Sequence, residues 1–202
     1  MGIIRKVKES DYDFICNAIE DYKLKLCYGY TKYFMQVIMG GRHSLTLVYE
    51  EENIIKAFYC VITQPKSFME EFYSYMPFFK KLKYHINNQI STYSVKKTEN
   101  TNIPAKIQYI VNNLYSVNDN FVYSCFIYSK AGKTVSTELF KEMCNRLVND
   151  YNFLVSVIKK SNTVSLFVHN MIFHDNIELF DVDEEGLFFI IDIKKFCSPD
   201  AS

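Results

Sequence analysis

The sequence predicts a single α/β domain, and three observations lead there. Apolar residues form short runs in some segments and recur at three- and four-residue spacing in others, so strands and helices alternate along the chain. A hydrophobic content of 49% over 202 residues supplies one substantial core. Between Phe121 and Tyr151 an apolar run, a short glycine-containing turn and a long amphipathic pattern follow one another, which is the strand, turn and helix of an α/β unit.

Ile3 to Val7 reads as a short strand. Ser10 with Asp13 resembles a capping box, and Phe14, Ile15, Ala18, Ile19 and Tyr22 follow at helical spacing. A second helix over 31–39 stops at Gly40-Gly41, since glycine takes the left-handed conformation that closes a helix. Leu45 to Tyr49 and Ile54 to Ile62 form a hairpin across Glu50-Glu51-Glu52-Asn53.

The pattern changes over about 64–118. Pro65 to Asn88 is helical and rich in Phe, Tyr and Met, Thr92 to Lys97 is a short strand, Lys97 to Asn102 is loop-like, and a helix begins at Pro104. This stretch reads as a helical insertion within the one domain spanning 1–202. Its Phe78-Phe79-Lys80-Lys81-Leu82-Lys83-Tyr84 could line a site, cover it or meet a partner. Aromatics among lysines also suit single-stranded nucleic acid, and the plainer reading is an amphipathic helix packed on the sheet.

Phe121 to Tyr128 then forms a buried strand, and the next helix places Val135, Leu139, Met143, Leu147 and Tyr151 on one stripe with Phe140, Cys144 and Val148 beside it. Asn152 to Ile158 is a strand and Thr163 to Met171 a short helix. Ile177 to Val182 and Leu187 to Ile193 close the domain as a hairpin across Asp183 to Gly186.

Composition narrows the function. Basic and acidic residues number 23 each, so no global field draws the chain to nucleic acid or an anionic membrane. Unbroken apolar runs such as Leu187 to Ile191 are far short of the roughly 20 residues of a membrane helix, and the N-terminus lacks a signal-peptide core. A cytoplasmic location is expected. Met1-Gly2 opens like a myristoylation site, but Lys6 stands where Ser or Thr is required. The six cysteines are scattered singly, as reduced thiols would be, and His43, His85 and His174 show no metal-ligand spacing with one another or with the cysteines. No metal is expected.

Ser129-Lys130-Ala131-Gly132-Lys133-Thr134 carries the clearest chemistry. A turn that opens a helix presents unpaired N–H groups and the positive end of the helix dipole, which suit phosphate oxygens, and two lysines add charge. The alternative is a structural turn with solvated lysines. Ala131 to Thr134 echoes the end of a P-loop, but Ile127, inside the strand, occupies the first glycine position.

The turn resembles the acyl-CoA-binding turn [QR]-x-x-G-x-[GA] of the GCN5-related N-acetyltransferases (GNAT), with Ser129 and Thr134 departing from its two ends. The order of elements over 3–63 and 119–193 is similar to theirs. Asn162 stands where that family has an Asn after its fifth strand, Phe167 falls near its Tyr, and Ile172-Phe173 replaces its Gly-Phe. The resemblance implies a mixed, mostly antiparallel sheet flanked by helices, with the insertion between the third and fourth strands.

It further implies an acyl-CoA, and acetyl-CoA first of all, as cosubstrate. The pyrophosphate lies on Ser129 to Thr134, and the pantetheine arm lies between splayed fourth and fifth strands against the main chain of Cys125, Phe126 and Ile127, near Asn162. An amine, either small or from a peptide or protein, attacks the thioester directly. Phe167 cannot serve as the acid, so His169 or Tyr128 becomes the candidate, with Tyr123 a further donor; packing is the alternative role for each. Cys125 as a nucleophile lacks a His partner in local spacing. The same departures also fit a GNAT-like binding or regulatory module without catalysis. A homodimer through an unpaired final strand or the middle helices is a further expectation.

Overall fold

A computed structural model of the protein describes residues 2–21, 29–77, 80, 121–173, 177–181 and 186–198. In chain order the elements are β1 (Ile3–Lys6), a 3-10 turn (Glu9–Asp11), α1 (Tyr12–Asp21), α2 (Thr31–Gly40), β2 (Ser44–Glu51), β3 (Ile54–Ile62) and α3 (Pro65–Ser74). They continue as β4 (Phe121–Ser129), α4 (Lys133–Leu147), β5 (Phe153–Lys159), α5 (Thr163–Phe173), β6 (Ile177–Asp181), β7 (Gly186–Asp192) and α6 (Ile193–Cys197).

The strands form one seven-stranded sheet in the order β1-β2-β3-β4-β5-β7-β6. Every neighbouring pair is antiparallel except β4–β5. The last strand therefore pairs on both sides, with β5 and with β6. This corrects the expectation of an unpaired final strand as a dimer contact, because β7 has no free ladder to offer.

Helices cover both faces of the sheet. On one, α4 buries Val135, Leu139, Phe140, Met143, Cys144 and Leu147 against Leu47, Tyr59, Val61, Leu154 and Phe189, joined by Phe173 of α5 and Ile193 of α6. On the other, Ile15, Ala18 and Ile19 of α1, Phe34 and Val37 of α2, and Phe68 and Phe72 of α3 pack on Val48, Phe58, Cys60 and Ile62. Each fully buried large apolar side chain contributes about 1.5–3 kcal/mol of transfer free energy. The rings of Phe68 and Phe72 lie 5.4 and 6.3 Å from Phe34, so α3 is an amphipathic helix packed on the core.

Local chemistry accounts for the boundaries. Gly41 closes α2 at φ +62°, with its N–H donating to Val37 and Ile38 carbonyls. Glu52 and Asn53, both at positive φ, form the two-residue turn of the β2–β3 hairpin, which matches the right-handed strand twist. Pro65 starts α3, where its missing N–H costs nothing.

Ser10 does not cap α1. The Lys8 N–H donates instead to Asp11 Oδ2 at 2.7 Å, and Asp11 is held by Arg5 through two bonds of 2.7 and 2.9 Å, while Arg5 also reaches Glu50. The sequence pattern saw a hydroxyl at the right spacing, but a carboxylate with a guanidinium behind it is the stronger acceptor. The predicted end of the last strand at Ile193 is also corrected. Asp192 accepts from the Lys195 N–H at 3.0 Å and turns the chain into α6.

No helix among the described residues is long and apolar enough to cross a membrane. Of the insertion expected over about 64–118, the structure describes residues through 77 and Lys80. The expected strand from Thr92, the loop after Lys97 and the helix from Pro104 lie outside the described residues, as do Cys27, His85 and His174.

Candidate functional site

The sheet opens at one place. β4 and β5 pair over three rungs, Phe121↔Phe153, Val122↔Leu154 and Tyr123↔Val155, and their ladder ends there. Beyond it β4 stays with β3 through Ser129, and β5 stays with β7 through Lys159. The two strands thus part like a wedge. Phe121, Val122 and Ser124 are buried, whereas every residue from Cys125 to Ser129 is half-buried. The splay expected between the fourth and fifth strands is present.

A β-bulge contributes to the opening. Cys60 pairs with Phe126 and Val61 with Ser124, so Cys125 is an extra residue on β4. A bulge bends its strand and raises the local twist, which turns β4 away from its parallel neighbour. It also resets the alternation of side chains. Val122 and Ile127 pack in the core beneath α4, while Tyr123, Cys125, Phe126 and Tyr128 pack in the core beneath α1, α2 and α3.

At the apex, where the ladder fails, side chains substitute for it. Ser156 Oγ of β5 donates to the Ser124 carbonyl at 2.7 Å, and Tyr59 Oη of β3 donates to Ser124 Oγ at 2.9 Å. Tyr59 is fully buried, and burial pushes its phenol well above the ordinary value despite the bond to Ser124.

At the open end lies the turn singled out from the sequence. Ser129 Oγ accepts from the Ala131 N–H at 3.1 Å and donates to the Gly132 carbonyl at 3.2 Å, which fixes the turn in place. This is the physical use of a serine at the position where the resembled motif has Gln or Arg. Gly132 sits at φ +86° and ψ −172° as the N-cap of α4, a region that residues with a Cβ avoid. A Cβ added there would meet nothing within 4 Å, so the space above the turn is open.

No side chain caps the first turn of the 15-residue α4, and no acidic residue occupies it. Its leading N–H groups therefore face outward with the positive end of the helix dipole behind them. Lys130 and Lys133 flank this end, with Lys130 Nζ 5.9 Å from the Phe14 ring centre and Lys133 Nζ 4.6 Å from that of Phe167. Two cations at a helix N-terminus repel its dipole. Together they form an anion site.

The remaining candidates are placed less directly. Asn162 Oδ1 accepts from the Ser165 N–H at 3.1 Å, so it caps α5 just after the end of β5. Tyr128 is half-buried, its ring edge-on to Phe14 and tilted against Phe58 at 5.8 and 5.7 Å. Cys125 packs in the core cluster at the bulge.

His169 is not exposed to the wedge. It is 5% accessible, its ring lies 4.8 to 6.0 Å from those of Phe140, Phe173 and Phe189, and Nδ1 donates to the Ser165 carbonyl at 2.7 Å. Burial pushes its pKa below the usual imidazole value. Phe167, in contrast, is 56% exposed. Tyr59, Ser124 and Ser156 were not singled out from the sequence. Their bonds join positions 65 and 32 residues apart, which no local pattern can signal.

Strand order, the single parallel pair, the wedge and the glycine turn at a helix N-terminus together define the fold of the GCN5-related N-acetyltransferases. The chain is similar along almost its whole length to the spermidine N-acetyltransferase of Vibrio cholerae solved with CoA and spermine, with 8% identity, 98% of each chain covered and a TM-score of 0.57. It is similar to the PaiA N-acetyltransferase of Thermoplasma acidophilum solved with coenzyme A, with 10% identity over 95% of this chain and 99% of that one and a TM-score of 0.56. An N-acetyltransferase of Staphylococcus aureus Mu50 shares 16% identity over 96% and 99% of the two chains, with a TM-score of 0.54. Neither a protein-family model nor a curated protein matches the chain by sequence.

Proposed function

We propose that the chain is an acyl-CoA-dependent N-acyltransferase that uses acetyl-CoA. The observation carrying this reading is the wedge between β4 and β5, which leads from an uncapped helix N-terminus with a positive-φ glycine down to a buried polar apex. In the reading, the N–H groups of the turn from Ser129 to Thr134, with Lys130 and Lys133, hold the pyrophosphate. The pantetheine arm lies along β4 at Cys125, Phe126 and Ile127, in the gap where β4 and β5 have parted, and passes near the side-chain amide of Asn162. Two of the structures with this fold hold CoA, which supports a CoA thioester as the cosubstrate.

The reaction is a direct attack. The nitrogen of a small amine, or of a peptide or protein, adds to the acyl carbon, and the sulfur departs with the electron pair of the C–S bond. The half-buried Tyr128 is the candidate donor that the wedge retains. His169 would have to act from within its phenylalanine cage.

A second reading is a module that binds CoA without turnover. Phe167 favours it, since an exposed benzyl group on the helix beside the wedge holds Lys133 and has no proton to give.

The test is acetyl-CoA turnover with a panel comprising a polyamine, a peptide with a free N-terminus and a lysine peptide. Transfer to any of them supports the enzyme. Binding of acetyl-CoA with no transfer to any amine leaves the binding module, and no binding by the folded protein removes both. Replacing Lys130 and Lys133 together by Gln is expected to weaken CoA about tenfold or more and to flatten the dependence of affinity on salt, because charge-assisted bonds to phosphate are lost. Unchanged affinity and salt slope, measured calorimetrically, would place the phosphates elsewhere.

A further inference from the structure

The apex of the wedge carries a hydroxyl with an unspent proton. Tyr59 and Ser124 share one hydrogen bond but hold two hydroxyl protons, and Ser156 spends its own on the Ser124 carbonyl. One proton of the Tyr59–Ser124 pair therefore has no acceptor among the described residues. With Tyr59 donating, it is the Ser124 proton. Tyr59 is wholly sealed, its ring 4.5 Å from Phe140, whereas Ser124 is the first β4 residue past the last β4–β5 rung. A buried donor left without an acceptor costs about 1–3 kcal/mol, so such an arrangement persists where a ligand completes it.

Distance identifies the ligand atom. From Ser129 to Ser124 the strand covers about 17 Å at roughly 3.3 Å per residue. An extended pantetheine arm whose pyrophosphate rests on the Ser129–Thr134 turn runs that length along β4 and ends in sulfur. We propose, resting on the acyl-CoA reading above, that the Ser124 hydroxyl donates a hydrogen bond to the sulfur of CoA, with Tyr59 and Ser156 as the residues that position it.

A thioester sulfur is a weak acceptor and a thiolate a strong one, so this bond strengthens as the C–S bond breaks and lowers the barrier selectively. The N–C bond forms, the C–S bond breaks, and the electron pair leaves on sulfur. The attacking amine is neutral; its nitrogen loses a proton to solvent as the amide forms, and solvent returns a proton to the thiolate. Ser124 is a donor throughout and ends the cycle unchanged. A serine fixed by a sealed phenol on one side and by β5 on the other thereby does part of the work for which Phe167 has no proton.

The test uses free CoA and the full chain, and so needs no amine. CoA affinity is measured by calorimetry, and the thiol of bound CoA is titrated by the ultraviolet absorbance of its thiolate. A hydrogen bond to the charged form holds the thiol pKa down, so it should rise by about one unit in Ser124→Ala while Ser124→Thr keeps the wild-type value. With a productive amine, Ser124→Ala should lower kcat about tenfold at nearly constant KM.

Equal titrations in wild type and Ser124→Ala, both with CoA bound, would overturn the proposal and leave the acyl-CoA reading standing. Failure of the folded wild type to bind CoA would overturn the reading itself. Should Ser124→Ala not fold, Tyr59→Phe removes the bond that fixes the Ser124 hydroxyl and should raise the thiol pKa by a smaller amount. No rise there would equally overturn the proposal.

Discussion

Gly132→Trp is expected to weaken CoA binding by about a hundredfold or more, and Gly132→Ala by much less. The two substitutions share one cost and differ in another. At φ +86° and ψ −172° any side chain strains the backbone, by about 1–3 kcal/mol. That strain is common to both variants and should appear as a similar loss of stability in thermal unfolding.

They differ in bulk. The space beyond a Cβ at Gly132 is empty to at least 4 Å, so a methyl group fits there and an indole projects into the room above the helix N-terminus. Two or three charge-assisted hydrogen bonds from a helix end to phosphate oxygens are worth about 1.5–3 kcal/mol each, and an indole in their place forfeits most of them. Calorimetric titration of both variants with CoA separates the causes. Equal weakening in the two would trace the effect to backbone distortion, and no weakening in either would remove this turn from the binding site.

What the sequence discloses about this site follows the range of the interactions involved. The stripe of Val135, Leu139, Met143 and Leu147 needs only local periodicity, and all four are buried on α4. Gly41 and Pro65 announce helix ends because their constraint is intrinsic to the residue. The wedge is expected only through the family resemblance. Nothing in a nine-residue β4 and a seven-residue β5 reveals that only three rungs join them, since pairing is decided by partners far along the chain.

The bulge at Cys125 is hidden for a related reason. The run from Phe121 to Tyr128 is apolar on both faces save for Ser124, so it has no alternation whose phase could visibly slip. The start of α6 escapes notice for another reason: Asp192, which ends the apolar run of Leu187 to Ile191 and caps the helix, reads as one more strand residue. His169 shows the limit most plainly. Its place on a short helix is legible, but its enclosure by Phe140, Phe173 and Phe189 depends on three elements meeting in space.

Asp11→Ala should destabilise the protein by about 3 kcal/mol without touching the wedge. Asp11 is 2% exposed and accepts from both terminal nitrogens of Arg5 and from the Lys8 N–H. Deleting one partner of a buried pair strands the other charge, at a cost of about 3–5 kcal/mol. The lower end applies because Glu50 remains on Arg5, at 2.6 Å.

The same bonds give the effect a pH signature. Burial opposes ionisation of Asp11, but the hydrogen bonds from Arg5 and Lys8 outweigh it and hold its carboxyl below the usual value. A carboxyl depressed in the folded state contributes stability that is present above its unfolded pKa and lost as pH falls through the folded one. His169 adds a separate loss at higher pH. Its folded pKa is depressed by burial, so the unfolded chain takes up the proton first and stability falls as pH drops below about 6.5.

Wild-type stability in urea should therefore decline in two stages on acidification, one beginning near the imidazole range and one below about pH 4. Asp11→Ala should shrink only the second stage, leaving the part that Glu51, held low by Lys56, contributes. An acid limb identical in wild type and Asp11→Ala would show that the Arg5 network is not what fails in acid.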